Sequence, residues 1–125
     1  MTDDELGTAL IGCAMKVHSG LGPGLLESVY EVCLAHELEK SKIKAARQRP
    51  VPIAYDGVTF EEGFKIDILV EDRIIVELKM VEKLLPIHSA QLLTYLKLTE
   101  RRVGYLLNFN VTRMREGGIK RLVNG

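Results

Sequence analysis

The chain has 125 residues, 46% hydrophobic and 27% charged, which fits one small globular domain with a single core and leaves no room for two. Lys and Arg number 17, Asp and Glu also 17, so the formal net charge is zero and coating of nucleic acid through bulk electrostatics is excluded; any such contact must be local. No apolar run approaches the roughly 20 residues of a membrane span. The acidic start, Met1-Thr2-Asp3-Asp4-Glu5, is unlike a secretory signal, so no membrane association is expected and the compartment expected is the cytoplasm. Cys13 and Cys33 lie far from any CxxC spacing and read as buried thiols rather than zinc ligands or a disulfide framework.

Leu6, Leu10, Cys13, Ala14 and Val17 recur at helical spacing, predicting an amphipathic helix from Glu5 to His18 capped by Asp3 or Asp4. Residues 19–24, Ser-Gly-Leu-Gly-Pro-Gly, make a tight connection, and a second helix is expected from Leu25 to about Lys40. On it Gly24, Glu27 and Tyr30 fall three apart. Lys40, Lys42, Lys44, Arg47 and Arg49 are the candidate patch for a local contact with nucleic acid, although a run like this reads first as a solvated helix end and connection.

Strand character follows. Val51–Tyr55 and Val58–Phe60 flank Asp56-Gly57, a hairpin turn pair, and Phe64–Val70 and Ile74–Lys79 flank Glu71-Asp72-Arg73. Pro86 then breaks the chain, Ser89 is placed to cap a helix to about Thr99, and Val103–Phe109 reads as a buried strand reached by a helical crossover. Ile119–Val123 adds a last short strand. The expected order is helix, helix, three or four antiparallel strands, helix, strand: an α+β domain with a central mixed sheet flanked by helices.

Asp67 between Ile66 and Ile68, and Glu77 between Val76 and Leu78, are residues that an apolar sheet interior would not choose. A buried carboxylate costs several kcal/mol unless a cation or hydrogen bonds compensate. A Mg²⁺ ion, which takes one or two carboxylates and keeps several waters, would account for both acids, and Lys79 projects from the same face as Glu77. Plain alternation on a wet sheet face accounts for the same residues, but Leu69 and Ile75 share their parity, so that face is mixed, as in a cleft. Register decides: a three-residue loop at 71–73 pairs Val70 with Ile74 and sets Asp67 opposite Glu77, whereas a two-residue turn separates them. The three-residue register is the one expected. Gln91 and Tyr95 share a face of the helix after Pro86, with His88 one turn earlier as a cap or as a neighbour of the site.

These pieces resemble a known family. Gly24-Leu-Leu-Glu27-Ser-Val-Tyr30 is the GxxExxY signature, and with His18, Leu21-Gly22-Pro23-Gly24, Gly63–Val70, Val76-Glu77-Leu78-Lys79, Ala90–Leu96 and Leu107–Asn110 it is similar to the GxxExxY proteins of the PD-(D/E)XK nuclease superfamily. The resemblance implies an αβββαβ core and a metal-dependent nuclease acting on DNA or RNA phosphodiesters. It implies Asp67 and Glu77 as metal-binding acids, Lys79 as the lysine of the ExK element and Glu27 as an additional acid. Gln91 and Tyr95 match a QxxxY element bordering the active site. Mg²⁺ or Mn²⁺ is the implied cofactor, held by Asp67, Glu77 and Glu27 with the Leu78 carbonyl. Gln91 is implied in catalysis, and Tyr30, His88 and Tyr95 in substrate contact or support of the site. A catalytically silent module binding nucleic acid or protein is the alternative, and a homodimer or a subunit of a larger assembly is a further reading of the small, neutral chain.

Overall fold

The computed structural model describes residues 1–125. Helix α1 runs Asp3–Leu21, and its N-cap is Thr2, not the expected Asp3 or Asp4: Thr2 Oγ1 accepts from the Glu5 amide while Glu5 accepts from the Thr2 amide, a capping box. Asp3 and Asp4 instead enrich the first turn, where negative charge suits the helix dipole. The helix passes beyond His18 and stops at Gly22, so the connection to α2 (Glu27–Lys40) is shorter than expected.

Strands β1 (Ala45–Tyr55) and β2 (Val58–Val70) turn at Asp56-Gly57, both with positive φ as a tight hairpin requires. Val58–Phe60 and Phe64–Val70, expected as separate strands, are one. The strand survives Gly63 because the Ile53 side chain lies where a Cβ on residue 63 would stand, so this glycine marks a close approach, not a turn. β1 likewise starts earlier than Val51. Its prolines, 50 and 52, are tolerated because β1 is the outer edge of the sheet.

Strand β3 (Ile74–Lys79) pairs antiparallel with β2; helix α3 (Pro86–Leu98) then carries the chain to β4 (Val103–Asn108), parallel to β3, and β5 (Ile119–Val123) pairs antiparallel with β4. The sheet order is β1-β2-β3-β4-β5. Pro86 opens α3 rather than breaking the chain, its missing N–H being no loss at a first helical position. Ser89 therefore lies within the first turn and caps nothing; the Leu85 amide donates instead to His88 Nδ1 at 2.9 Å.

Two apolar layers result. Leu6, Leu10, Val17, Leu34 and Leu38 of α1 and α2 pack on Ile68, Val70, Val76, Leu78 and Leu107. Leu92 and Leu96 of α3 pack on Ile66, Leu69, Ile75 and Leu106 from the opposite face. No helix is long and apolar enough to cross a membrane.

Candidate metal and phosphodiester site

The backbone pairing of β2 with β3 runs from Val70↔Ile74 to Ile68↔Val76, the register of a three-residue loop, and then stops. One step further, side chains take over. The Asp67 amide donates to Glu77 Oε2 at 2.8 Å, and the Leu78 amide donates to Asp67 Oδ2 at 2.9 Å. Each acid is thus held by the other strand's backbone, and the two carboxyl groups come together where the strands part.

Pairing lapses on the β1 side of Asp67 as well: Arg47↔Ile68 and Arg49↔Ile66 are partners, but Gln48 and Asp67 are not, and Gln48 has φ 50°. Residues two apart on a regular strand share a face. Ile68 nonetheless belongs to the layer under α1 and α2, and Ile66 to the layer under α3. β2 therefore rolls over at Asp67, and the strict alternation assumed from the sequence does not hold there.

The electrostatics are those of acids crowded together. Glu77 is 5% exposed; burial first, then the Asp67 charge, pushes its carboxyl up to about 8, against the Asp67 amide and Lys79, which act to lower it. Burial is also the main cause of the raised Asp67 carboxyl, opposed by the Leu78 amide. Glu27, the first residue of α2, is exposed as a residue, yet partial burial and then the Asp67 charge hold its carboxyl above the usual range, with Lys79 acting the other way. Tyr95 is raised by burial and by the Glu77 and Asp67 charges. These couplings bring Glu27, Asp67, Glu77, Lys79 and Tyr95 into one electrostatic neighbourhood. Lys79 Nζ donates to Gln91 Oε1 at 3.0 Å, tying β3 to α3.

Beside this pair lies a groove of about 390 Å³ lined by Lys79, Ile87, His88, Ala90, Gln91 and Thr94. His88 thus borders the groove while its Nδ1 holds the start of α3. One face of the Tyr95 ring is stacked on Phe64, centroids 4.0 Å apart, which leaves only the other for a base.

Tyr30 is elsewhere. It is fully buried, stacked on Phe109 at 4.7 Å, with its hydroxyl donating to the Gly22 carbonyl and accepting from the Leu25 amide. Buried so, it offers no surface to a substrate; of the two roles expected for it, support of the site fits, since it braces the loop that delivers Glu27. Gly24 stands in that loop with φ 97° and is not on the helix, so it does not share a helical face with Glu27 and Tyr30. Other residues of the family-like segments serve the frame in the same way. His18 Nε2 pairs with the Val111 carbonyl at 2.7 Å, and buried Asn108 holds Val81 in the connection after β3 and the Asn110 amide just beyond β4.

Three residues of the neighbourhood were not anticipated as such. Glu31, 4% exposed, accepts from Arg47 Nε at 3.0 Å and Nη2 at 2.8 Å and from Gln48 Nε2 at 2.6 Å, and Gln48 Nε2 also reaches Asp67 Oδ1 at 3.4 Å. Arg47 is accordingly not part of a merely solvated basic run. Glu31, one turn after Glu27, was the available signal: a carboxylate on the buried side of a helix needs a partner.

No three His, Cys, Asp or Glu side chains form a ready cage for a metal ion. The donor set nonetheless fits a small hard cation. Mg²⁺ needs only one or two carboxylates beside its waters, and a divalent charge would offset the crowding that keeps Glu77 protonated near neutral pH.

The sequence model of the PD-(D/E)XK nuclease superfamily matches residues 4–122. The chain belongs to that superfamily. The five-stranded mixed sheet with helices on both faces is consistent with a PD-(D/E)XK core, whose members typically use divalent metals. Comparison with curated proteins gives no match, and comparison with solved structures gives none.

Proposed function

We propose that this protein, read as a GxxExxY member of the superfamily, is a metal-dependent nuclease that hydrolyses phosphodiester bonds of DNA or RNA. The observation that carries the reading is the meeting of the Asp67 and Glu77 carboxyls at the parting of β2 and β3, with the Lys79–Gln91 pair alongside. Backbone amides occupy Oδ2 of Asp67 and Oε2 of Glu77, leaving Glu77 Oε1 and, apart from the long contact with Gln48, Asp67 Oδ1 to face a cation. Asp67 and Glu77 would hold Mg²⁺ or Mn²⁺, with Glu27 joining through the waters or directly. The chemistry such an ion would supply there is a lowered pKa for a bound water and a charge to offset that of the phosphate.

Lys79 contributes a fixed positive charge. Held by Gln91 Oε1, its amine is aimed where negative charge develops on the phosphate, and it orients the attacking water. Gln91 keeps its own NH₂ for the substrate backbone. The groove beside it would take the adjoining strand, with Tyr95 presenting its free ring face to a base. The expected setting is the cytoplasm.

The test is a panel of single- and double-stranded DNA and RNA incubated with Mg²⁺ or Mn²⁺. Wild type is expected to cleave at least one, and Lys79→Ala to lose about 10²–10³-fold in rate while still taking up metal. Absence of metal-dependent cleavage across the panel would leave a binding module instead, and full retention by Lys79→Ala would take Lys79, and the site built around it, out of the reaction.

A further inference from the structure

We infer that Gln48 is a positioning residue of this site: its side-chain amide, delivered by a left-handed kink in mid-strand, hangs from the buried Glu31 carboxylate that Arg47 pairs from outside and sets how the Asp67 carboxylate faces its neighbours. The inference rests on the reading of Asp67 as a site acid.

The backbone is the first ground. Lys42, Asp56, Glu71, Asp72 and Glu100 also have positive φ, but all sit in turns, where that conformation is useful; Gln48, at 50°, is the one non-glycine residue to adopt it inside a strand. A side chain with a Cβ is strained there, and such strain persists only where the surroundings fix it. The kink falls opposite Asp67, where both strands drop out of their pairing. It therefore coincides with the acid, not with a bend the hairpin needs for its own sake.

The hydrogen bonds are the second ground. A Gln amide nitrogen carries two hydrogens, and here both have a carboxylate to meet: Glu31 Oε1 at 2.6 Å and Asp67 Oδ1 at 3.4 Å. Only the NH₂ end suits such a place, since the amide oxygen would meet like partial charge. Arg47 makes the arrangement tolerable. By giving both Nε and Nη2 to Glu31 Oε2, it neutralises that carboxylate and fixes its orientation, so that Oε1 becomes a rigid anchor for Gln48. Arg47 thus holds Glu31, Glu31 holds Gln48, and Gln48 holds the outward oxygen of Asp67, while the Leu78 amide holds the inner one.

The experiment uses the full chain, ¹⁵N-labelled, first without metal and then titrated with Mn²⁺ alone. In the metal-free protein the Gln48 side-chain amide should give a displaced, slowly exchanging pair of signals that moves in both Asp67→Asn and Glu31→Gln. Gln48→Gly, which suits the positive φ, should melt within a few degrees of wild type yet bind Mn²⁺ roughly tenfold more weakly, the loss usual for removing a group that orients a metal ligand. A Gln48 amide pair at the free-glutamine position and indifferent to Asp67→Asn would overturn the inference, as would wild-type Mn²⁺ affinity in Gln48→Gly. If wild type takes up no Mn²⁺ while the amide pair still responds to Asp67→Asn, the metal reading falls and the positioning role of Gln48 stands.

Discussion

The sheet has two halves that solve the same backbone problem differently. From Ile74↔Val103 to Lys79↔Asn108 the parallel pair of β3 and β4 is complete, and the β4 residues in it are buried throughout. On the other flank, β2 loses its partners on both sides at Asp67, and side-chain carboxylates take the amides that a continuous sheet would have used. The first half stores stability. The second places partly desolvated acids beside a lysine, an arrangement that costs stability and that a bound cation would offset.

That contrast can be broken from either side. Leu107→Ala, at a fully buried position in the complete half, should destabilise by about 2–5 kcal/mol in denaturant titration while leaving cleavage per folded molecule intact. A loss of activity without loss of stability would mean that the halves are not separable. Arg47→Ala leaves Glu31 buried without its charge partner; because Arg47 is itself 40% exposed and water can enter, about 1–3 kcal/mol is the expected cost. It should be accompanied by weaker metal uptake, which an ordinary surface ion pair would not produce.

The pH dependence sharpens the same contrast. Glu77 has a folded value of about 8, above its value of about 4.5 in the unfolded chain, so the native state holds the proton more tightly. The stabilisation is complete below the unfolded value and is lost as pH rises through the folded one. Metal-free protein should therefore lose about 1–2 kcal/mol between roughly pH 6 and pH 8, and Glu77→Gln should flatten that slope. An unchanged slope in Glu77→Gln would assign the titration elsewhere.

Much of this was legible in the sequence. The element order, the crossover to a parallel strand and the Asp67–Glu77 register follow from periodicity, turn residues and a three-residue loop, because each is set by local chemistry. Most of what escaped was non-local. Val58–Phe60 and Phe64–Val70 were expected as two strands because nothing near Gly63 reveals Ile53 lying across it. Thr2 was passed over as a cap in favour of the acids beside it, although Thr2 and Glu5 have capping-box spacing. Gln48 carries no sequence signal for a left-handed kink, and Arg47 looked like one more member of a basic run until Glu31 came to face it. Tyr30 belongs to the signature yet braces a loop from within the core, so a shared motif does not mean a shared surface.

The central claim is that Asp67 and Glu77 together hold a divalent cation. Calorimetric titration with Mn²⁺ at neutral pH, with thermal melts in parallel, tests it on wild type and Glu77→Ala. Wild type should bind Mn²⁺, release protons as Glu77 ionises, and gain stability in proportion to the logarithm of free metal once the site is saturated. Glu77→Ala should fold, with some loss of stability from the unpaired Asp67 amide, and show neither the binding heat nor the metal-dependent shift. Equal binding heat and equal stabilisation in both proteins would place the ion elsewhere and contradict the account.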